Sequence, residues 1–312
     1  MATTHVFTLS DVYRQSLEGT WVLQGWNAAW FGGGYAPTST RSSVDRINFA
    51  SDTATAVAKG PLSLARHGLS ASGNTTDAWY GGGSGISKID RIIFSVDTAT
   101  AVAKGPLTGN RFFLAAHGNT TDAWFGSGRE GVPFVTKVDR IIFASDSATA
   151  VAKGPLTLGR YGLGAHGNTT DAWYGGGHSG PNFTTVDRVI FSSDTATAVV
   201  KGPLTAGGYG VTAHGSTTDA WFGGGVSPGV VSRVDRIIFA SDTATAVAKG
   251  PLSAARYLLG AGGNETDAWF GGGISGPATV SSKVDRIIFA SDTATAVAKG
   301  PLSLTKSGLA AD

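Results

Sequence analysis

The chain has 312 residues, 46 of them glycine, with 15% charged residues, a net charge of +2 and no cysteine. That composition excludes disulfide frameworks, zinc–thiolate sites and cysteine nucleophiles. The basic residues are spread thinly along the chain with no concentrated Lys/Arg stripe, which argues against nucleic acid as a partner. The first residues, MATTHVFTLSDVYRQ, have neither the basic start nor the apolar run of a signal peptide, and no stretch is apolar enough for a spanning helix. Synthesis in a cytoplasm without membrane insertion is therefore expected. Residues 10–17 suit a short capped helical turn, and residues 1–26 read as an attachment segment preceding one main domain, 27–312.

From there to the C-terminus the chain is six near-copies of a unit of about 48 residues, which signals a repeat architecture. Asp-Arg pairs recur at Asp45, Asp90, Asp139, Asp187, Asp235 and Asp285, each followed by Arg. Trp30, Trp79, Trp124, Trp173, Trp221 and Trp269 each precede a glycine-rich run, and Lys-Gly-Pro closes every unit. In the second unit four strands are expected, at 68–72, 77–81, 89–94 and 98–104, because β-branched and aromatic runs are bounded by Gly, Asn, Ser, Asp and Pro. Asn74 suits a tight turn, Asp97 a hairpin closed by its own side chain, and Gly105-Pro106 the end of the last strand. Small residues in the first strand fit a crowded axis, while Ile92 and Phe94 have the bulk to fill space between blades. Tandem four-stranded meanders of this kind pack radially, so the expectation is an all-β, six-bladed β-propeller with four antiparallel strands per blade and a short N-terminal extension. Two segments compete to close it, 19–23 and 308–311. The C-terminal one is favoured, with about 307–312 completing the first blade, because Trp21 and Leu23 are too large for the axis.

The order of small-residue strand, AWYGGG or AWFGGG, VDRIIF, TATAVAKGPL and then Arg66, Arg111, Arg160 or Arg256 resembles the kelch repeat. It is more similar still to the FGGG…VDRI…SDTATA…KGPLS repeats of structural proteins of marine bacteriophages and cyanophages, over about residues 28–311. Gly208 and Lys306 depart from the Arg, and Ser127 interrupts one glycine run. The resemblance implies a kelch-like propeller in a virion, a phage tail or appendage protein, with residues 1–26 meeting other virion proteins.

Residues present in every unit are most simply explained by the blade. The Asp-Arg pairs are thus expected to bond between blades or within turns, and Asp52, Asp97, Asp146, Asp194, Asp242 and Asp292 to shape turns. These turns lack the ligand pattern of a calcium loop. His117, His166 and His214 share one position in three consecutive units, but a spacing of about 10 Å between neighbouring sheets argues against a shared metal. No cofactor is implied. Asymmetry concentrates in the loop after each glycine run, where Tyr35, Arg41, Arg129, Glu130, Phe134, His178, Asn182 and Phe183 are the candidate contacts, since aromatic and Arg side chains carry most interface energy. The expected function is a non-enzymatic structural or adhesion protein whose variable loops meet a host-surface glycan or protein. The alternative is a propeller lectin with repeated inter-blade sites that draw on the Trp series. Homo-oligomerisation is left open.

Overall fold

The computed structural model describes residues 27–276 and 278–312. The expected attachment segment and helical turn, and the disfavoured closing segment 19–23, lie outside the described residues. Six four-stranded antiparallel sheets form six blades, with only single-turn 3-10 helices and no α-helix among the described residues. The second blade runs Ser70–Gly73, Asp77–Gly81, Ile89–Ile93 and Val102–Lys104 from the axis outward. Each innermost strand contacts those of the two neighbouring blades, and the circle closes. In the first blade the innermost strand is Ala310–Ala311, which pairs with Ala28–Gly32 from the other end of the described chain. Trp30 N–H extends that pairing by donating to Asp312 O at 3.0 Å.

The third and fourth strands differ from the sequence expectation. Phe94 leaves the sheet to open a 3-10 turn, Phe94–Val96, and residues 98–101 belong to the turn that follows. The reason lies in the preceding blade. Phe94 stacks on Trp30 with ring centroids 3.9 Å apart, and Asp97, at the end of the turn, accepts from Trp30 Nε1 at 3.2 Å. Asp97 does not close a hairpin through its own side chain. It also meets Arg46 Nη1 and Lys59 Nζ, each at 3.1 Å. This clasp recurs at all six interfaces and joins the last blade to the first through Trp269, Arg286, Lys299 and Asp52. Each Trp is no more than 2% exposed and stacks on a Phe of the next blade. The Asp-Arg pairs, expected to bond between blades or within turns, divide their labour. Arg91 holds Asp77 in its own blade at 2.8 Å and reaches Asp146 in the next at 3.5 Å. Asp90 receives the incoming connection, accepting from Ser63 Oγ at 2.5 Å and pairing with Arg66 Nη1 at 2.6 Å.

The departures from the repeat preserve a cation against this buried carboxylate. Lys306 lies 2.9 Å from Asp45, with both side chains 0% exposed. Where Gly208 replaces the Arg, Arg233, in the loop just ahead of Val234–Ile238 of the same blade, pairs with Asp235 at 3.1 Å while donating to Ala206 O at 2.8 Å. Ser127, in a glycine column, adopts φ +61° and anchors the turn by donating to Arg160 O at 2.6 Å. Breaking a buried pair by deleting one partner costs about 3 kcal/mol or more. Arg233→Ser is therefore expected to destabilise the protein by about 3 kcal/mol in urea unfolding. Gly208→Arg in that background should restore most of the loss, because a Cβ at Gly208 meets nothing nearer than Val226 O at 3.3 Å. A double variant no more stable than Arg233→Ser would contradict the substitution of one cation for the other.

Candidate functional site

The six innermost strands surround a channel whose two mouths differ. At one mouth six residues in the left-handed region, Gly68, Phe113, Gly162, Gly210, Leu258 and Gly308, have φ between +55° and +69°. Each donates its N–H to the carbonyl of its counterpart in the preceding blade, and Gly68 donates to Gly308, so six peptide groups form a closed circle with N···O distances of 2.5–2.8 Å. The turn into the innermost strand requires this conformation, which glycine adopts without a steric cost. Phe113 and Leu258 adopt it with side chains attached, at a cost of about 1–2 kcal/mol each. They belong to the third and sixth blades and so stand opposite one another across the axis. Behind the circle lies a cavity of about 80 Å³ lined by the innermost strands.

Around this mouth the aromatic side chains form a horseshoe. Tyr35, His67, Phe113, Tyr161, Tyr209 and Tyr257 follow one another with centroid separations of 5.7, 5.8, 6.0, 6.0 and 6.0 Å. It opens at Ser307, which occupies the equivalent column in the first blade. All six rings are partly or substantially exposed. Burial raises Tyr161 and Tyr257 and lowers His67 from their ordinary values, so these two phenols and this imidazole are neutral near pH 7.

Five of the eight loop residues join this surface. Phe134 stacks on Tyr161 at 5.2 Å, and His178 lies 5.6 Å from both Tyr161 and Tyr209. Asn182 meets His178 Nδ1 at 2.9 Å and donates to Val226 O at 3.0 Å. Arg129 lies over Phe112 at 5.7 Å and gives its Nε–H to Gly131 O at 2.5 Å. Tyr35 is 38% exposed at one end of the horseshoe. The other three play different parts. Arg41 is half-buried, and its carbonyl accepts from Arg66 N–H at 3.1 Å. Glu130 is engaged by Lys137 at 2.9 Å. Phe183 is half-buried and ties its backbone to Gly177 and Gly208. The sequence reading missed His67, Phe112, Phe113, Tyr161, Tyr209, Tyr257 and Leu258. They sit at the start of the innermost strand, one or two places after the column that holds the buried cation in the other blades and Gly208 in the fifth, where two bulky residues interrupt a column of glycine.

The opposite mouth is a funnel of about 270 Å³ that includes His117, His166, His214 and Asp312 among its lining residues. The spacing assumed from packed sheets fails here because strands converge on the axis. The imidazoles of His117 and His166, and of His166 and His214, have centroids only 4.8 Å apart. They do not converge on a point. His117 and His166 direct Nε2 to carbonyls of the next blade, Asn168 O at 3.4 Å and Ser216 O at 3.3 Å. Among the described residues no group of three such side chains is arranged to hold a metal ion. Burial pulls His117 down to about 4 and His214 to about 3, and keeps His166 well below the ordinary range, with its two neighbours adding to the effect. Burial raises the Asp312 carboxyl to about 7.

No protein-family model matches the chain, and no curated protein matches it.

The histidine values fix the sign of a pH dependence. An imidazole depressed below 6.5 in the folded state is protonated first in the unfolded chain, so the stability it contributes is full above pH 6.5 and lost as pH falls toward 4 and 3. Asp312 opposes this, because its contribution is present below 3.8 and lost as pH rises through about 7. Three groups outweigh one. Thermal unfolding is expected to shift to lower temperature between pH 6.5 and 4, and the triple variant His117→Asn, His166→Asn, His214→Asn to lose most of that slope. A variant with the parent's slope would contradict the assignment.

Proposed function

We propose that this protein is a non-enzymatic adhesion or structural component of a virion, a phage tail or appendage protein that presents one face of its propeller to a host-surface glycan or to another protein. The observation that carries this reading is the aromatic horseshoe, because Phe134, His178 and Arg129 from the variable loops join side chains from every blade in one partly exposed surface. Aromatic residues with a polar tip supply contact area at low entropic cost, which suits recognition. The repeated side chains are engaged elsewhere. The carboxylates of the six clasps and of the six Asp-Arg pairs all meet cations, which leaves none of them free to act as an acid or base. The virion assignment draws on the resemblance of the repeat to marine phage structural proteins, and in it residues 1–26 meet other virion components.

The lectin alternative with repeated inter-blade sites is less well supported, since the Trp series is buried and its indole N–H groups are held by Asp side chains. The test is binding to a bacterial-glycan array and to whole marine bacteria, comparing the parent with a variant in which 129–134 and 178–183 are replaced by Gly/Ser. The reading predicts that binding falls at least tenfold in the variant while the fold persists. Undiminished binding would move recognition to the repeated blade elements.

A further inference from the structure

We infer that the channel mouth on the loop face is a saccharide-binding site, with Phe113 and Leu258 forming the apolar walls of a seat on the axis. This rests on the binding role proposed above and names the ligand and its place. Four of the six residues in the hydrogen-bonded circle are glycine, the residue that the left-handed conformation favours. Bulky side chains at the other two work against the backbone, and such strain persists where something else is gained. Neither side chain is spent on the interior. Both are partly exposed, and both line the cavity at this mouth. The Phe113 ring reaches back over Gly68, where a Cβ would lie 3.0 Å from its Cδ1, and toward Gly308.

The chemistry of the seat selects a neutral polyhydroxyl ligand. Its floor is six peptide groups whose N–H donors are all consumed within the circle, so an anion finds no free donor there. Five of the six carbonyls keep a second lone pair that can accept a hydroxyl, while Gly162 O also accepts from Val211 N–H at 3.2 Å. Of the nearby charges, Glu130 is paired with Lys137, while Arg129 lies over the Phe112 ring and donates to Gly131 O, with no hydrogen bond to the floor. What remains exposed is aromatic faces, phenol hydroxyls and an amide. A sugar ring meets that set with its C–H face on the aromatic walls and its hydroxyls on the polar tips.

The test is Phe113→Gly with Leu258→Gly, which restores the residue of the other four blades and relieves the backbone. The thermal midpoint should stay level or rise. Affinity for the neutral glycans that the parent retains on an array of neutral and acidic structures should fall at least tenfold in calorimetric titration. Unchanged affinity in this variant, with loss in the 129–134 and 178–183 replacement, would overturn the axial seat while leaving the loop-face reading intact. Retention of acidic glycans alone, or of no glycan by a parent that still binds cells through a protein, would overturn the saccharide assignment.

Discussion

One carboxylate per interface holds this molecule in a circle. Each of Asp52, Asp97, Asp146, Asp194, Asp242 and Asp292 accepts the indole N–H of the preceding blade, and each meets an Arg and a Lys of that blade. The geometry is specific because the 3-10 turn that positions the Asp also stacks a Phe on the same Trp. A charge so placed is costly to leave unpaired. Every blade therefore needs its predecessor, and the first needs the last. That dependence explains why the Trp, the Asp-Arg pair and the Lys-Gly-Pro ending scarcely vary from unit to unit. It also explains how the one blade lacking the usual acid copes. Ala28 stands where Asp77 stands in the second blade, and Arg46 turns fully to Asp97, at 3.1 Å instead of the 3.4–3.6 Å of its counterparts.

A scaffold closed in this way frees other positions to differ. The two mouths of the channel use the freedom in opposite senses. One gathers three imidazoles that burial keeps neutral, which makes that end sensitive to acid. The other collects aromatic rings and two strained apolar residues above a floor of peptide groups. Recognition in the proposed role belongs to the second mouth, where the long loops and the starts of the innermost strands meet.

Much of the scaffold could be read from residue order alone. The Asp-Arg spacing and the Trp series led to six four-stranded blades, and small residues in the first strand marked the axis. Other features depend on partners distant in sequence. Phe94 reads as a strand residue until Trp30 is placed opposite it. Asp97 reads as a turn former until three donors of the previous blade arrive. The histidine spacing was misjudged because the distance between sheet faces does not apply where strands converge. The loop candidates were chosen for their variability, and Phe134, His178 and Asn182 do reach the common surface. Glu130 and Arg41 do not, since an adjacent Lys and the incoming connection claim them. Tyr161, Tyr209 and Tyr257 escaped notice because they lie in a nearly repeated column. Their importance comes from adjacency around an axis, which a linear reading does not display.

In the proposed role, repeated residues hold the ring and symmetry-breaking residues recognise a ligand. Hydrogen-exchange mass spectrometry of the protein, free and saturated with the glycan best retained on the array, tests that division most directly. The account predicts protection confined to segments around 112–113, 129–134, 178–183 and 257–258, with the clasp turns at 52, 97, 146, 194, 242 and 292 unchanged. Equal protection in all six blades at the repeated Trp strands would contradict it.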